Sequence, residues 1–205
     1  MIAAAKDHRP APDGGGAAFA PVDLSKAFDN RGITGEADRD RGALNLWGNS
    51  FASGALPGPG ARVVVGGVPF VFGARDAGDN VRCARQLVFV PAGCFDWIYV
   101  LAAAERRTED PVHLHFDDGS VDTELLRVSD FWPETDRRFG ERAAFACDRM
   151  HYPRHVERRF GPTIWRQRIP ITREAPLRAV RLPDNPAIHV FAMTAARARP
   201  ADEAP

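Results

Sequence analysis

Short segments of apolar residues, interrupted at close intervals by Gly and Pro, run through most of this chain. The segments are rich in β-branched and aromatic residues, and their spacing is typical of antiparallel β structure. No segment has the length, caps and periodicity of an amphipathic helix. The predicted strands are Ala43–Trp47, Arg62–Val65, Val68–Phe72, Val81–Cys83, Gln86–Val90, Phe95–Ala103, Val112–Phe116, Thr123–Val128, Arg142–Cys147, Thr163–Ile171, Leu177–Leu182 and Ile188–Thr194.

Two of these strands, Phe95–Ala103 and Ile188–Thr194, are largely apolar on both faces. Such strands lie at the centre of a two-sheet stack or beneath covering loops. We therefore predict a single all-β domain, an antiparallel two-sheet β-sandwich of the jelly-roll kind with about eight to ten strands. The domain is expected to span residues 21–196. Residues 1–20 and 197–205 are rich in Ala, Pro, Gly and charge, and are expected to be disordered tails.

The clearest single element is a β-hairpin that carries two histidines. The three apolar residues of Val112–Phe116 alternate with His113 and His115. One side of the strand can therefore enter the core while both imidazoles project from the other side. The Asp117–Ser120 cluster follows, and its Gly119 supplies the positive φ that a tight hairpin needs. A polar sheet face with paired histidines is where a functional site is expected.

The charge balance argues against nucleic acid and membrane as partners. The 205 residues include 27 Lys plus Arg and 27 Asp plus Glu, a formal net charge of zero. No run approaches the roughly 20 apolar residues that span a bilayer, and the N-terminal segment lacks the apolar core of a secretory signal. Cys83, Cys94 and Cys147 form no C-x-x-C pair and are typical of reduced thiols. We therefore expect a cytoplasmic protein.

Several phrases of the sequence, read in order, resemble one group of β-sandwich domains. The phrases are Val22–Thr34, Gly67–Gly73, Gly78–Val81, Val90–Leu101, Phe116–Ser120, Val128–Trp132 and Leu182–Thr194. Their order and spacing resemble the galactose-binding-like and carbohydrate-binding modules that accompany bacterial glycosidases such as α-L-fucosidases and β-galactosidases. The resemblance implies such a sandwich and a carbohydrate ligand. Those modules are usually attached to a catalytic domain, so the free-standing copy that this sequence indicates is a departure from them. The chain departs from those modules at His113 and His115, where they carry small hydroxyl or aliphatic residues.

The paired histidines have a spacing that suits metal chelation from a strand. His113 and His115 stand at i and i+2, as in the H-x-H pattern of cupins. The cupin pattern also needs a Glu shortly after the second histidine, and the predicted turn occupies that place. No metal is therefore predicted. Solvated imidazoles, ligand contacts and acid/base chemistry remain open interpretations, and metal binding is ranked last among them.

A second dense patch, Asp148–His155, falls in a predicted loop between two strands. Its His151 and His155 would complete a four-imidazole cluster if this loop folded over the face of the histidine hairpin. The alternative is a solvated basic loop that includes Arg154.

Aromatic rings beside polar side chains form two further candidate sites. Carbohydrate sites combine a flat aromatic surface with groups that hydrogen-bond hydroxyls. The predicted ligand-binding residues are Asn45, Trp47 and Asn49 in one combination, and Asp130 with Trp132 in the other. Core packing is the alternative for each Trp, and Trp97, which lies inside an apolar strand, is assigned to the core.

One early loop offers oxygen ligands for a structural Ca²⁺. It contains Asp29, Asn30 and Gly32. Full coordination needs about six to eight oxygens, and the loop shows only a few. An Asx turn or helix cap is the other interpretation. No other cofactor is expected, because P-loop, G-x-S-x-G and H-E-x-x-H motifs are absent from the sequence.

Two functional hypotheses follow, each with a small-molecule partner. The first is a β-sandwich protein that binds a carbohydrate or glycosylated small molecule in a groove on its polar sheet face. The second is a small bacterial enzyme of specialised metabolism that performs cyclisation, isomerisation, elimination or hydrolysis in the same groove. Its base would be His113 or His115. The partner of that base would be His151 or His155, with Arg154 stabilising an anion. A structural or interaction subunit is a third alternative.

Overall fold

The computed structural model describes residues 19–73, 78–132 and 139–197. Two single turns of 3₁₀ helix occur there, at Arg39–Arg41 and Ser53–Ala55. Within these ranges, neither helix has the length or the apolar run needed to cross a membrane. The strands of these ranges are β1 (Phe19–Val22), β2 (Ile33–Thr34), β3 (Ser50–Ala52), β4 (Arg62–Val65), β5 (Val68–Val71), β6 (Val81–Arg82), β7 (Leu87–Gly93), β8 (Trp97–Ala104), β9 (Thr108–Phe116), β10 (Val121–Val128), β11 (Arg142–Ala146), β12 (Met150–His151), β13 (Val156–Glu157), β14 (Thr163–Pro170), β15 (Leu177–Arg181) and β16 (Ile188–Ala196).

Two sheets form the sandwich. The six-stranded sheet has the order β1-β16-β8-β14-β11, with β6 also paired to β16, and the four-stranded sheet has the order β10-β9-β15-β7. A small four-stranded sheet, β13-β12-β3-β2, and the β4-β5 hairpin supply further strands. Every pairing in the two main sheets is antiparallel. The predicted all-β sandwich is confirmed.

The six-stranded sheet is buried on both faces. Ile98 and Val100 of β8 belong to a core that the four-stranded sheet also lines. Tyr99 and Leu101 belong to a second core that includes residues of the small sheet and the β4-β5 hairpin. All nine residues of β16 are buried. This burial explains why the sequences of β8 and β16 are apolar on both faces.

The histidine hairpin folds as predicted. Val112, Leu114 and Phe116 are only 0%, 1% and 3% exposed and pack in the core between the main sheets. Gly119 has φ of 82° in the turn, and the Phe116 amide donates a hydrogen bond of 3.0 Å to the Ser120 carbonyl. The hairpin therefore directs its two imidazoles away from the core.

One predicted strand, Ala43–Trp47, is a loop in the structure, whereas each of the other predicted strands overlaps an observed one. The Asn45 side chain accepts a hydrogen bond of 3.1 Å from the Trp47 amide, and Gly48 has φ of 68°. An Asn that bonds its own backbone two residues on favours a turn over a strand. The loop places Trp47 at the surface.

The start of the domain and one tryptophan also differ from expectation. β1 begins at Phe19, because Phe19 and Ala20 pair with the end of β16. The remaining predicted tail residues, 1–18 and 198–205, lie outside the described residues.

Trp97, assigned to the core, is only half-buried at the start of β8. The Arg168 guanidinium lies 4.7 Å from the centre of its ring and covers it from solvent.

Candidate functional site

An open cleft of about 790 Å³ lies where loops from several strands meet. Its walls come from the loop before β3, the β8–β9 turn, the segment after β10 and the segment before β16. It is lined by Ala43, Asn45, Leu46, Trp47, Asn49, Arg82, Glu105, Arg106, Asp130, Phe131, Trp132, Tyr152, Asn185, Pro186 and Ala187. All five predicted ligand-binding residues are in this set, so the fold brings their two combinations together. Their contact with a ligand remains a prediction.

Aromatic side chains form much of the cleft wall. Trp47 is 69% exposed, and its neighbour Leu46 is fully exposed at the loop tip. Trp132 is held more firmly, because its amide donates a hydrogen bond of 2.9 Å to Asp130 Oδ1. Its ring also packs edge-on against Phe131, with centroids 6.0 Å apart. The cleft therefore offers two indole surfaces for stacking, that of the exposed Trp47 and that of the packed Trp132.

Asn49 contributes a buried polar group that the protein does not satisfy. The residue is 2% exposed, and within the described residues its Oδ1 has no hydrogen-bond partner. Its Nδ2 makes only a long contact of 3.7 Å to the sulfur of Met150. A buried acceptor without a donor costs about 1–3 kcal/mol. This cost falls on a residue that contributes to the cleft wall.

Two acidic residues, Glu105 and Asp130, line another wall of the cleft. A backbone bridge pairs Ala104 with Asp130, so Glu105 follows directly after the point where the two segments join. Burial raises the pKa of Glu105, the nearby Arg82 lowers it, and the charge of Asp130 raises it again. The next residue, Arg106, has φ of 77°. Such a backbone conformation is unfavourable for a residue with a Cβ and often occurs at functional sites.

A buried polar network lies behind the cleft wall formed by Arg82. Asn80 Oδ1 accepts a hydrogen bond of 3.1 Å from Asn30 Nδ2 and lies 2.9 Å from His189 Nδ1. Asn80 Nδ2 donates to the buried Asp79 carboxylate at 2.8 Å. Burial lowers the pKa of His189 to about 3 and raises the pKa of Asp79. The network joins the loop before β2 to β6 and β16, and so fixes the backbone that carries the cleft residues.

The loop considered for Ca²⁺ belongs to the same region. The Asp29 carboxylate accepts hydrogen bonds from the Arg82 amide at 2.8 Å and from Gln86 Nε2 at 3.0 Å. The Gly32 amide donates to Asp79 Oδ1 at 2.8 Å. The Asx-turn or helix-cap interpretation is wrong, because these bonds join residues far apart in the sequence. They use the Asp29 oxygens that were considered as calcium ligands.

His113 and His115 lie on the outer face of the four-stranded sheet. His113 Nδ1 is 3.1 Å from the hydroxyl of Thr123. Burial is the main cause that lowers the pKa of His115. Phe89 and Val121 on the same face are 64% and 49% exposed, so this face mixes polar and apolar side chains. Neither histidine lines the cleft.

The other two histidines occupy separate places. His151 is 3% exposed, and its Nδ1 lies 2.9 Å from the Thr34 hydroxyl. Burial lowers the pKa of His151. His155 is exposed and stacks on Tyr152, a cleft residue, with ring centroids 4.6 Å apart. Arg154 is exposed in the same turn.

The expected four-imidazole cluster is therefore wrong. β12, which carries His151, pairs with β3 in the small sheet, whereas the histidine hairpin belongs to the four-stranded sheet. The six-stranded sheet lies between these layers. In the part of the chain that the structure describes, no group of three or more His, Cys, Asp or Glu residues is placed to hold a metal.

Several cleft residues escaped the sequence analysis. They are Arg82, Glu105, Arg106, Tyr152 and Asn185. Glu105 and Arg106 stand in a short charged turn between β8 and β9, a pattern that usually marks solvated surface. Arg82 is the last residue of the short strand β6. Asn185 lies in the sequence P-D-N-P, which predicts a turn. That signal indicates a loop at Asn185 but does not indicate that the loop lines a cleft.

A search of curated proteins found no match to this chain. The family model described as the AziU2-like beta-sandwich domain matches residues 18–199. This match agrees with the sandwich seen in the structure, and it supports the predicted β-sandwich without extending to the galactose-binding-like modules. Because the match covers nearly the whole chain, the protein belongs to the AziU2-like β-sandwich family.

Proposed function

We propose that this protein binds a carbohydrate or a glycosylated small molecule in the cleft. The observation that carries the proposal is Asn49, whose buried Oδ1 lacks a donor in the described residues although it belongs to a residue of the cleft wall. Buried polar atoms of native proteins usually have a partner, and ordered water, an ion or a ligand can supply one. A ligand rich in hydroxyl groups supplies the missing donor.

The remaining cleft chemistry supports the same class of ligand. Trp47 and Trp132 offer flat rings for the C–H face of a sugar. The Asn45 Oδ1 atom is bonded to the Trp47 and Asn49 amides, so its Nδ2 is the group that is offered to a sugar hydroxyl. The volume of about 790 Å³ falls in the range of about 300–1,000 Å³ that is typical of small-molecule sites. The ligand groove is thus proposed among the loops, away from the sheet face of the histidine hairpin.

The histidine-based enzyme has less support. None of His113, His115 and His151 lines the cleft, and His155 reaches it only through its stack on Tyr152. A base must lie within hydrogen-bond reach of the proton that it takes. We therefore favour ligand binding over histidine catalysis.

Paired variants test the proposal. The probes are para-nitrophenyl glycosides of the common hexoses, whose nitrophenyl ring quenches tryptophan fluorescence. Asn49→Leu keeps the side-chain volume, removes the unpaired acceptor, and should weaken binding about tenfold or more because one ligand hydrogen bond is lost. The same variant should be as stable as the wild type or more stable. Trp47→Ala should weaken binding by a similar factor through lost stacking.

The matched control is Phe89→Ser, which removes an exposed aromatic ring outside the cleft. This control should bind every probe as the wild type does. If no glycoside quenches the wild-type fluorescence, the proposed ligand class is wrong. A loss of stability in Asn49→Leu equal to that of a core substitution would show that Asn49 is structural.

A further inference from the structure

We propose that the ligand of the cleft is a glycoside with an apolar alkyl tail. Its sugar lies against a charged wall, formed by Arg82, Glu105 and Asp130, and its tail lies against an apolar rim, formed by Leu46 and Trp47. This inference rests on the proposed function, because it specifies which class of glycosylated small molecule the cleft binds.

The charged wall belongs to the six-stranded sheet. β6, which carries Arg82, pairs with β16. The Glu105 amide donates a hydrogen bond of 2.9 Å to the carbonyl of Ala187, the residue before β16. The bridge between Ala104 and Asp130 adds Asp130 to the same end of the sheet. These charged groups suit the hydroxyl groups of a sugar, whereas an alkyl tail placed there would remove them from water without compensation.

The apolar rim belongs to the small sheet instead. Leu46 and Trp47 lie in the loop before β3, and Tyr152, another aromatic residue of the cleft, follows β12. β3 and β12 are paired with each other. The loop also packs against the turn after β12, because a Cβ at Gly48 would lie 2.9 Å from Pro153 Cγ. The two sides of the cleft therefore come from different sheets and differ in polarity.

Leu46 is exposed by a tight turn that is held by its own hydrogen bonds. Asn45 Oδ1 accepts hydrogen bonds from the Trp47 amide at 3.1 Å and from the Asn49 amide at 3.3 Å. The Gly48 amide donates a hydrogen bond of 2.9 Å to the Asn45 carbonyl. Leu46 is 100% exposed in this turn. Tight turns usually carry polar residues, so an aliphatic side chain beside an exposed indole at a cleft indicates an apolar contact.

The exposure of the apolar residues gives the direction of the ligand. Trp132 is half-buried, with its ring centroid 6.0 Å from that of Phe131 and 5.2 Å from that of Phe160. Trp47 is 69% exposed, and Leu46 is fully exposed. The sugar therefore stacks on the inner ring of Trp132, and the tail runs outward over Trp47 and Leu46.

The test is a calorimetric titration of the purified full chain with alkyl glycosides. The probes are methyl, butyl and octyl β-D-glucosides and β-D-galactosides, each below the concentration at which it forms micelles. The affinity should rise with the length of the tail, by about two- to fourfold for each methylene that leaves water. Equal affinities for the methyl and octyl members would overturn the inference.

One variant on each side of the cleft separates the two contacts. Leu46→Asn, which keeps a residue suited to turns, should lower the ratio of octyl to methyl affinity by about tenfold, because the tail loses its apolar partner. Arg82→Ala should weaken the binding of all three chain lengths by a common factor of about three to ten, because a hydrogen bond to the sugar is lost. A change in the octyl-to-methyl ratio in Arg82→Ala instead of Leu46→Asn would overturn the assignment of the two sides.

The matched control is Val64→Asn. This change also replaces an exposed aliphatic residue, 70% exposed on β4 and outside the cleft. The control should show the same dependence on tail length as the wild type. A reduced dependence in this control would mean that the tails bind the protein surface at large, and would overturn the role of the rim.

The same titrations separate failure of this inference from failure of the proposed function. Binding of the methyl glycosides without any gain from the longer tails would keep the sugar site and overturn the apolar rim. Absence of binding by every alkyl and nitrophenyl glycoside would overturn both proposals. Sedimentation of the protein with sugar-free phosphatidylcholine vesicles, lost in Leu46→Asn, would show that Leu46 contacts a lipid surface and would also overturn this inference.

Discussion

The cleft and the outer face of the four-stranded sheet differ in how they bring polar side chains together. The outer face carries His113 and His115 two residues apart on one strand, and the hydroxyl of Thr123 lies within hydrogen-bond distance of His113. The cleft draws residues from six separate segments of the chain, and Asn49 Oδ1 there has no donor among the described residues. Chemical residues that are close in the sequence thus lie on a flat surface, where His115 Nε2 also has no partner among the described residues. The cleft instead unites residues that are far apart in the sequence.

The difference has a physical origin in the two kinds of backbone. A strand repeats every two residues, so neighbouring side chains of one face lie in a shallow row. Loops at the ends of strands can surround a volume, and the rigid sheets beneath them hold their positions. The predictions below test whether the two regions are as different as this contrast implies.

The largest effect is expected beneath the histidine face. Phe116→Ala should lower the free energy of unfolding by about 3–5 kcal/mol, because it leaves a cavity between the main sheets. Trp47→Ala at the cleft rim should change it by no more than about 0.5 kcal/mol, since that ring is 69% exposed. Urea unfolding measures both. A cost below about 1 kcal/mol for Phe116→Ala would contradict its place in the core.

A smaller effect, dependent on pH, is expected behind the cleft. The folded pKa of His189 is about 3, below the ordinary value, so the unfolded chain takes up a proton first as the pH falls. The stability is complete above about pH 6.5 and declines toward pH 3, by up to about 1.4 kcal/mol per pH unit.

The comparison with His189→Asn isolates that contribution. Asp79, whose pKa is raised, acts in the opposite direction and is present in both proteins. The wild type should therefore lose stability more steeply than the variant between pH 6.5 and pH 4. Parallel curves would mean that His189 does not stay neutral in the folded protein.

The smallest effect is expected on the outer face itself. Replacing both His113 and His115 with Gln should leave thermal stability and glycoside binding almost unchanged, because neither residue lines the cleft or fills the core. Thermal unfolding and fluorescence titration check this outcome. A loss of glycoside binding in the double variant would show that His113 or His115 contributes to the ligand site, and the two regions would then not be separate.

The strands of the fold were predictable because their periodicity is strong. β9, with its alternation of core residues and histidines, and the doubly apolar β8 and β16 needed no tertiary information. The short strands β2, β3, β12 and β13 have two or three residues each, too few for any period to show. Their pairing follows from packing against the six-stranded sheet.

The candidate site was predictable only in its aromatic part. Trp47 and Trp132 drew attention because an aromatic ring beside amides or carboxylates is a local pattern. Glu105 and Arg82 stand in segments that look like ordinary charged surface, and only the pairing of β6 with β16 and the Ala104–Asp130 bridge bring them to one wall. The spacing of residues in the sequence does not predict which distant segments pair with each other.

The antiparallel ladder between β1 and β16 has a consequence for how the molecule acquires its fold. Phe19 pairs with Ala196, so the first and last strands of the domain are neighbours in the six-stranded sheet. Contacts of such long sequence separation slow folding, since a large loop must close before they form. During synthesis, β1 must wait without its partner until β16 has left the ribosome. We therefore expect the sheet to close late, as the last strand inserts between β1 and β8.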